Sequence, residues 1–196
     1  MGGPRQGFIS RKTNETDINL SINLDGTGKY QIQTGLAFFD HMLRLFIRHA
    51  SYDFDLVAQG DLAVDGHHTV EDVGICLGLA IKQALGNKYG IKRYGNAIIP
   101  MDEALVMAAV DLSGRGFLAF DVPMTAQKAG DFETELVEEF LRAMAINGEF
   151  TLHIRLLAGK NTHHIIEAVF KALGRSLCDA TAGGIGVGIP STKGIL

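Results

Sequence analysis

The sequence predicts an α+β protein: an internally duplicated chain of two-layer α/β units, each with a mostly antiparallel sheet and helices packed on one face. Three observations carry that prediction. Apolar residues alternate strictly through Ile18, Leu20, Ile22 and Leu24, and again through Tyr30 and Ile32, the period of a strand with one buried face. Runs of apolar residues at helical spacing follow them. The hexad His67-His68-Thr69-Val70-Glu71-Asp72 then returns 96 residues later as His163-His164-Ile165-Ile166-Glu167-Ala168, so a whole unit is repeated.

Taken in order, residues 1–10 read as a flexible tail, since Met1-Gly2-Gly3-Pro4 has neither a secretory apolar segment nor a myristoylation signal. The first repeat spans 11–91. Its two alternating runs, joined through Asp25-Gly26-Thr27-Gly28, are expected to form a β-hairpin. From Leu36 to His49 the residues Phe38, Phe39, Met42, Leu43, Phe46 and Ile47 mark a helix, and Phe54, Leu56 and Val57 a further strand. The acidic loop Asp61 to Asp65 leads into the first hexad and a long helix, which Gly86 and Gly90 close. The second repeat, 92–182, returns the pattern: strands at Ala104 to Val110 and Phe117 to Val122, a helix near Glu135 to Ala145, a strand at Phe150 to Leu157 and a helix from Thr162 to Cys178. At the strand turns the offset is 88, which sets Glu103 on Glu15. Neither half has layers enough to bury its own sheet and helices, so the two should pack as one compact body. Residues 183–196, opening with the glycine-rich run Gly183 to Gly188, read as a flexible substrate-binding tail, and the glycine-rich run invites further association.

A hydrophobic content of 46% with 20% charged residues is ordinary for a globular protein of 196 residues. The net charge of −4 gives no general attraction to nucleic acid or to an anionic membrane, so neither is expected as a partner. No apolar run reaches the roughly 18 to 20 residues that span a bilayer. A soluble, cytoplasmic protein is expected. Cys76 and Cys178 stand in unrelated places in the two repeats and read as buried thiols.

The chemistry concentrates in the hexads. On a helix, positions i and i+4 share a face, so His67 with Glu71 and His163 with Glu167 can each aim an imidazole and a carboxylate the same way. Adjacent histidines diverge by roughly 100°, so each pair is expected to serve two different ions. Imidazole with carboxylate suits Mn, Fe or Zn. His41, among core residues of the first helix, and Glu139, near its counterpart in the second repeat, are further candidate ligands. Asp40, Asp65 and Asp72 adjoin the histidines and are expected to accept their free ring N–H groups. His49 and His153 have no counterparts and read as structural. Glu15 lies in a polar cluster that core packing does not require and is a candidate general acid or base. Arg93, Arg115 and the segment Pro190-Ser191-Thr192-Lys193-Gly194 are candidates for binding an anion such as phosphate. A dinuclear hydrolase, or a metal-binding assembly without catalysis, would use the same ligand set.

Beyond this, the chain resembles the imidazoleglycerol-phosphate dehydratase family of histidine biosynthesis. The resemblance rests on Phe39-Asp40-His41-Met42-Leu43, Gly60-Asp61, Asp65-Gly66 leading into the first hexad, Arg93-Tyr94-Gly95, Pro100-Met101-Asp102-Glu103-Ala104-Leu105, Asp111-Leu112-Ser113-Gly114-Arg115 and Asn161-Thr162 leading into the second hexad and on to Lys171. It extends from Arg11 to Lys193. It implies a lyase that dehydrates imidazole glycerol phosphate to imidazole acetol phosphate, by way of an imidazolate held by two metal ions. It further implies two Mn2+ ions per active site, and a homo-oligomer of 24 subunits with active sites between them. The implied metal ligands are His41, His67, His68, Glu71, Glu139, His163, His164 and Glu167. Many members have His at the position of Glu139, and others Glu. Glu15, Glu71 and Glu167 fall in the implied catalytic set, and Glu15, Arg93, Arg115, Lys171, Ser191 and Lys193 in the implied substrate-binding set. Leu45 stands where many members carry Gln.

Overall fold

The computed structural model describes residues 4–184 and 188–196; Met1 to Gly3 of the expected N-terminal tail and residues 185–187 of the glycine-rich run lie outside the described residues. The first half contains β1 (Gln6–Lys12), β2 (Thr16–Asn23), β3 (Tyr30–Gln33), α1 (Ala37–Ala50), β4 (Asp53–Gly60) and α2 (His67–Leu85). The second contains β5 (Tyr94–Met101), β6 (Ala104–Asp111), β7 (Phe117–Asp121), α3 (Leu136–Asn147), β10 (Thr151–Ala158) and α4 (Thr162–Thr181). Before α3 it adds a short pair, β8 (Lys128–Ala129) and β9 (Phe132–Glu133), with no counterpart in the first half.

The two four-stranded sheets have matching orders, β1-β2-β4-β3 and β5-β6-β10-β7. The expected hairpin of β2 and β3 does not form. β4 lies between them, antiparallel to β2 and parallel to β3, because α1 carries the chain over the sheet before it returns as β4. The second half repeats this with β10 between β6 and β7.

The edge strands β1 and β5 escaped the alternation pattern, and residues 6–10, expected in a flexible tail, pair with β2. The reason is glycine. At Gly7 a β-carbon would lie 2.1 Å from the Ala80 carbonyl oxygen, and at Gly95 it would lie 2.0 Å from that of Ser176. A long helix therefore crosses each edge strand in backbone contact, and the inward position carries no apolar side chain.

The helices bind the halves together. α2 rests on β1 and β2, and α4 on β5 and β6, but α1 packs against α4 and α2 against α3. Each helix pair thus joins opposite halves, giving the order sheet, helices, helices, sheet. Phe140 on α3 meets Phe39 on α1 edge-on at 5.2 Å between ring centroids and stacks on Phe170 of α4 at 5.5 Å. All three rings are fully buried, so the two halves share one core. The close crossings also use glycine: a β-carbon on Gly78 would lie 2.4 Å from the Met144 carbonyl oxygen, and one on Gly174 would lie 2.5 Å from that of Phe46.

Replacing Gly78 or Gly174 with Ala is therefore expected to destabilise the protein. Helix propensity favours Ala by about 1 kcal/mol, but overpacking against a fixed backbone costs about 1–3 kcal/mol and leaves no room to relax. Thermal unfolding should show a lower midpoint for both variants. Gly183→Ala, with no atom within 4 Å of the added carbon, should unfold like the parent.

Candidate functional site

Both hexads open helices. His67 is the first residue of α2, where Asp65 Oδ1 accepts from the His67 backbone N–H at 2.8 Å. In α4 the N-cap is Asn161, whose side chain accepts from the backbone N–H groups of His163 and His164 at 3.0 and 3.4 Å. A helix N-terminus favours negative groups, here the carboxylates of Glu71 and Glu167 one turn in, over extra positive charge. The paired rings diverge as helix geometry requires. His67 and His68 lie 6.2 Å apart at 90°, and His163 and His164 lie 6.3 Å apart at 85°.

One of the four histidines meets a donor on the partner helix of its own pair, His163 on α4 with His41 on α1. The ligand atoms of His41, His163 and Glu167 lie within 4.8 Å of one another, the one such group of three among the described residues. An ion bound at about 2.0–2.2 Å needs donors no more than roughly twice that distance apart, so the trio fits a metal after slight closure. Lys171 Nζ donates to Glu167 Oε1 at 2.6 Å, while Oε2 faces His163 Nε2 at 3.5 Å. Burial pushes the Glu167 pKa up, but Lys171, with His41 and His163, more than compensates, and it settles below its ordinary value.

In the first half His67 Nε2 and Glu71 Oε2 are 4.0 Å apart, and among the described residues no third donor closes a group around them. Glu139 on α3, half-buried, joins neither cluster.

The outer histidines are held by carboxylates from elsewhere. His68 Nδ1 lies 3.0 Å from Asp61 Oδ2, and His164 Nδ1 lies 2.8 Å from Glu103 Oε2. Those carboxylates favour the imidazolium and raise both histidine pKa values, while His164 pulls the Glu103 carboxyl down to about 2. His49 goes the other way, because burial disfavours its charged form. The three aspartates expected in this role do other work. Asp72 is taken by Arg11 and the Thr16 hydroxyl, Asp40 accepts from the Thr34 N–H and hydroxyl at 3.0 and 2.6 Å, and Asp65 receives the His67 backbone N–H. Each of these carboxylates is already engaged by other groups. Asp61 and Glu103 arrive across space, and the one signal for Glu103 was its correspondence with Glu15.

Glu15 sits in the turn between β1 and β2, with Oε1 3.8 Å from His68 Nε2. Its carbonyl accepts from the Asp61 backbone N–H at 3.1 Å, so this turn and the loop that holds His68 move as one.

The basic residues gather around the C-terminal segment. Arg93, at a positive φ of 76°, grips Asp111 with Nε and Nη2 at 2.7 and 3.2 Å, donates from Nη1 to the Pro190 carbonyl at 2.9 Å and stacks on Tyr94. It thereby fixes the chain just before Ser191. Ser191 Oγ accepts from the Lys193 backbone N–H at 3.2 Å, closing a turn. A β-carbon on Gly114 would lie 2.6 Å from the Leu196 carbonyl carbon, so the segment reaches the turn that bears Arg115. Arg115 donates to the Ser113 carbonyl at 3.3 Å. Of the cysteines, Cys76 is buried with its thiol pushed up to about 11 by burial, whereas Cys178 is only partly buried.

In chelator-treated protein the imidazole resonances should titrate in a fixed order by proton NMR. His68 and His164 should hold their protons above the ordinary value of 6.5, and His49 should lose its proton below it. A His49 midpoint above that of His164 would contradict the carboxylate contacts described above.

Three comparisons with known proteins bear on the chain. The family model described as imidazoleglycerol-phosphate dehydratase matches residues 34–177. The imidazoleglycerol-phosphate dehydratases of Pelotomaculum thermopropionicum and Acetivibrio thermocellus are 65% and 61% identical, over 98% of this chain and 98% and 99% of their own lengths. Among solved structures, the imidazoleglycerol-phosphate dehydratase of Staphylococcus aureus superposes with a TM-score of 0.83 at 42% identity, covering 91% of this chain and 99% of that one. The Pyrococcus furiosus enzyme in complex with (S)-C348 gives 0.84 at 40% identity, covering 96% and 100%.

Proposed function

The chain belongs to the imidazoleglycerol-phosphate dehydratase family, hydro-lyases of histidine biosynthesis, and from that premise we propose that it dehydrates imidazole glycerol phosphate with two Mn2+ ions per active site. The observation that carries the metal reading is the group of His41, His163 and Glu167, three donors from two helices of opposite halves within reach of one ion. The remaining donors are His67, His68, Glu71, His164 and Glu139. The ions, when bound, supply Lewis acidity that stabilises negative charge on the imidazole nitrogens.

The chain's own residues handle the proton and the phosphate. Glu15, outside both hexads and beside the outward nitrogen of His68, removes the proton from the second carbon of the side chain, one bond beyond the carbon attached to the ring. Hydroxide leaves from the carbon attached to the ring, so water is lost, and the resulting enol, with its hydroxyl on the second carbon, becomes the ketone of imidazole acetol phosphate. Nothing is oxidised or reduced. Arg93, Arg115, Lys171, Ser191 and Lys193 hold the phosphate through charge-assisted hydrogen bonds. Within one chain Arg93 also holds Asp111 and the Pro190 carbonyl, and so fixes the segment that brings Ser191 and Lys193 to the substrate.

Active sites are shared between subunits of a homo-oligomer of 24 chains in this reading. Two features support association. Among the described residues His67 and Glu71 have no third donor, and the outer sheet faces leave Phe8 62% exposed and Ile98 57% exposed. Among the described residues no helix is long and apolar enough to cross a membrane, which agrees with the cytoplasmic setting proposed for a biosynthetic enzyme.

Glu15→Gln keeps shape and removes basicity. Steady-state kinetics with metal analysis should show normal metal content and substrate binding, with kcat lowered roughly 100-fold or more. Wild-type kcat, or a lost metal ion, would show that Glu15 has another role. Removing metal with a chelator should release species smaller than the native assembly on size exclusion. An assembly that kept its size and activity after verified metal removal would refute the dependence.

A further inference from the structure

We infer that Glu103 is a positioning residue for His164, fixing which ring nitrogen is free to bind a metal; the inference rests on the reading of the hexads as metal ligands. The geometry is specific to each carboxylate oxygen. Oε1 accepts from the backbone N–H groups of Asn161 at 2.8 Å and Lys160 at 3.3 Å, in the loop just before α4. Oε2 faces His164 Nδ1 at 2.8 Å. A carboxylate has no proton to give, so the ring proton must sit on Nδ1, and Nε2 is left with its lone pair free, the Asp102 carboxylate standing 3.7 Å away, beyond hydrogen-bond distance. The two backbone donors keep the carboxylate from turning away. Asp61 does the same for His68 in the first half, at 3.0 Å from Nδ1.

The duplication makes the assignment informative. Glu103 and Glu15 are corresponding residues in the β5–β6 and β1–β2 turns, yet they stand against different ring nitrogens. Glu103 is locked on Nδ1 of His164, whereas Glu15 lies 3.8 Å from Nε2 of His68 and is free of any ring hydrogen bond. One copy of the glutamate therefore braces a ligand while the other is left for proton transfer, and Asp61 supplies the brace that Glu15 does not.

Glu103→Gln separates this role from simple bracing of the loop. The two backbone N–H groups require an oxygen at the Oε1 position, so the amide nitrogen must face His164. It would donate to Nδ1, drive the ring proton to Nε2 and block the metal, although the side chain keeps its size. Glu103→Ala leaves Nδ1 to water and the ring free to choose. Titration of chelator-stripped full-length protein with Mn2+, followed by calorimetry, should show a loss of about 10–100-fold in affinity for the Ala variant and at least as large a loss for the Gln variant. In a His164→Ala background neither change should weaken Mn2+ binding further, because the effect runs through that ring. A Gln variant that binds Mn2+ like the parent, or a further loss when His164 is already absent, would overturn the inference. A parent protein that bound no Mn2+ would instead overturn the metal reading beneath it.

Discussion

Helix pitch is the constraint on which the rest depends. Two successive residues on a helix point about 100° apart, so a doubled histidine can serve one ion only through one of its members. His67 and His68, and likewise His163 and His164, stand with rings nearly perpendicular. Each hexad must therefore divide its donors between two directions. Among the described residues one of those directions closes a group of three donors, at His41, His163 and Glu167. A protein built this way gains from association in a manner that a single-sided site would not.

The fold supplies the rigidity that such a site needs. His41 and His163 belong to opposite halves, and what brings them together is the packing of α1 on α4, with Gly174 letting the Phe46 backbone approach. The equivalent glycine, Gly78, admits α3 to α2. Glycine residues at the same offset as the hexads thus set the helix spacing in both halves, and the site inherits its geometry from backbone contact instead of long side chains. The carboxylates Asp61 and Glu103 add the remaining control, since each orients a ring from a loop that is itself tied down by backbone hydrogen bonds.

Much of this was legible in the sequence, for identifiable reasons. Alternation exposed β2 and β6 because their inward positions are apolar, and the hexads exposed α2 and α4 because side-chain chemistry and helix spacing coincide. β1 and β5 were hidden because Gly7 and Gly95 each take an inward position while Phe8 and Ile98 put apolar side chains on the outward face, so no clean alternation shows. The supposed hairpin failed because alternation reports a buried face and not which strand lies alongside. The candidate ligands His41, His163 and Glu167 meet within the chain, and Glu139 is not part of that group. Asp61 and Glu103 were overlooked in favour of aspartates adjacent in sequence, because contacts to a ring are made through space and those aspartates are engaged by other groups.

The central claim is that each doubled histidine is shared between two ions. Crystals of the purified protein grown with Mn2+ and measured at the manganese absorption edge would test it directly. The account predicts two anomalous peaks per chain, with His67 and His68 ligating different peaks and His163 and His164 doing the same. A single peak per chain, or one peak ligated by both members of an adjacent pair, would contradict it.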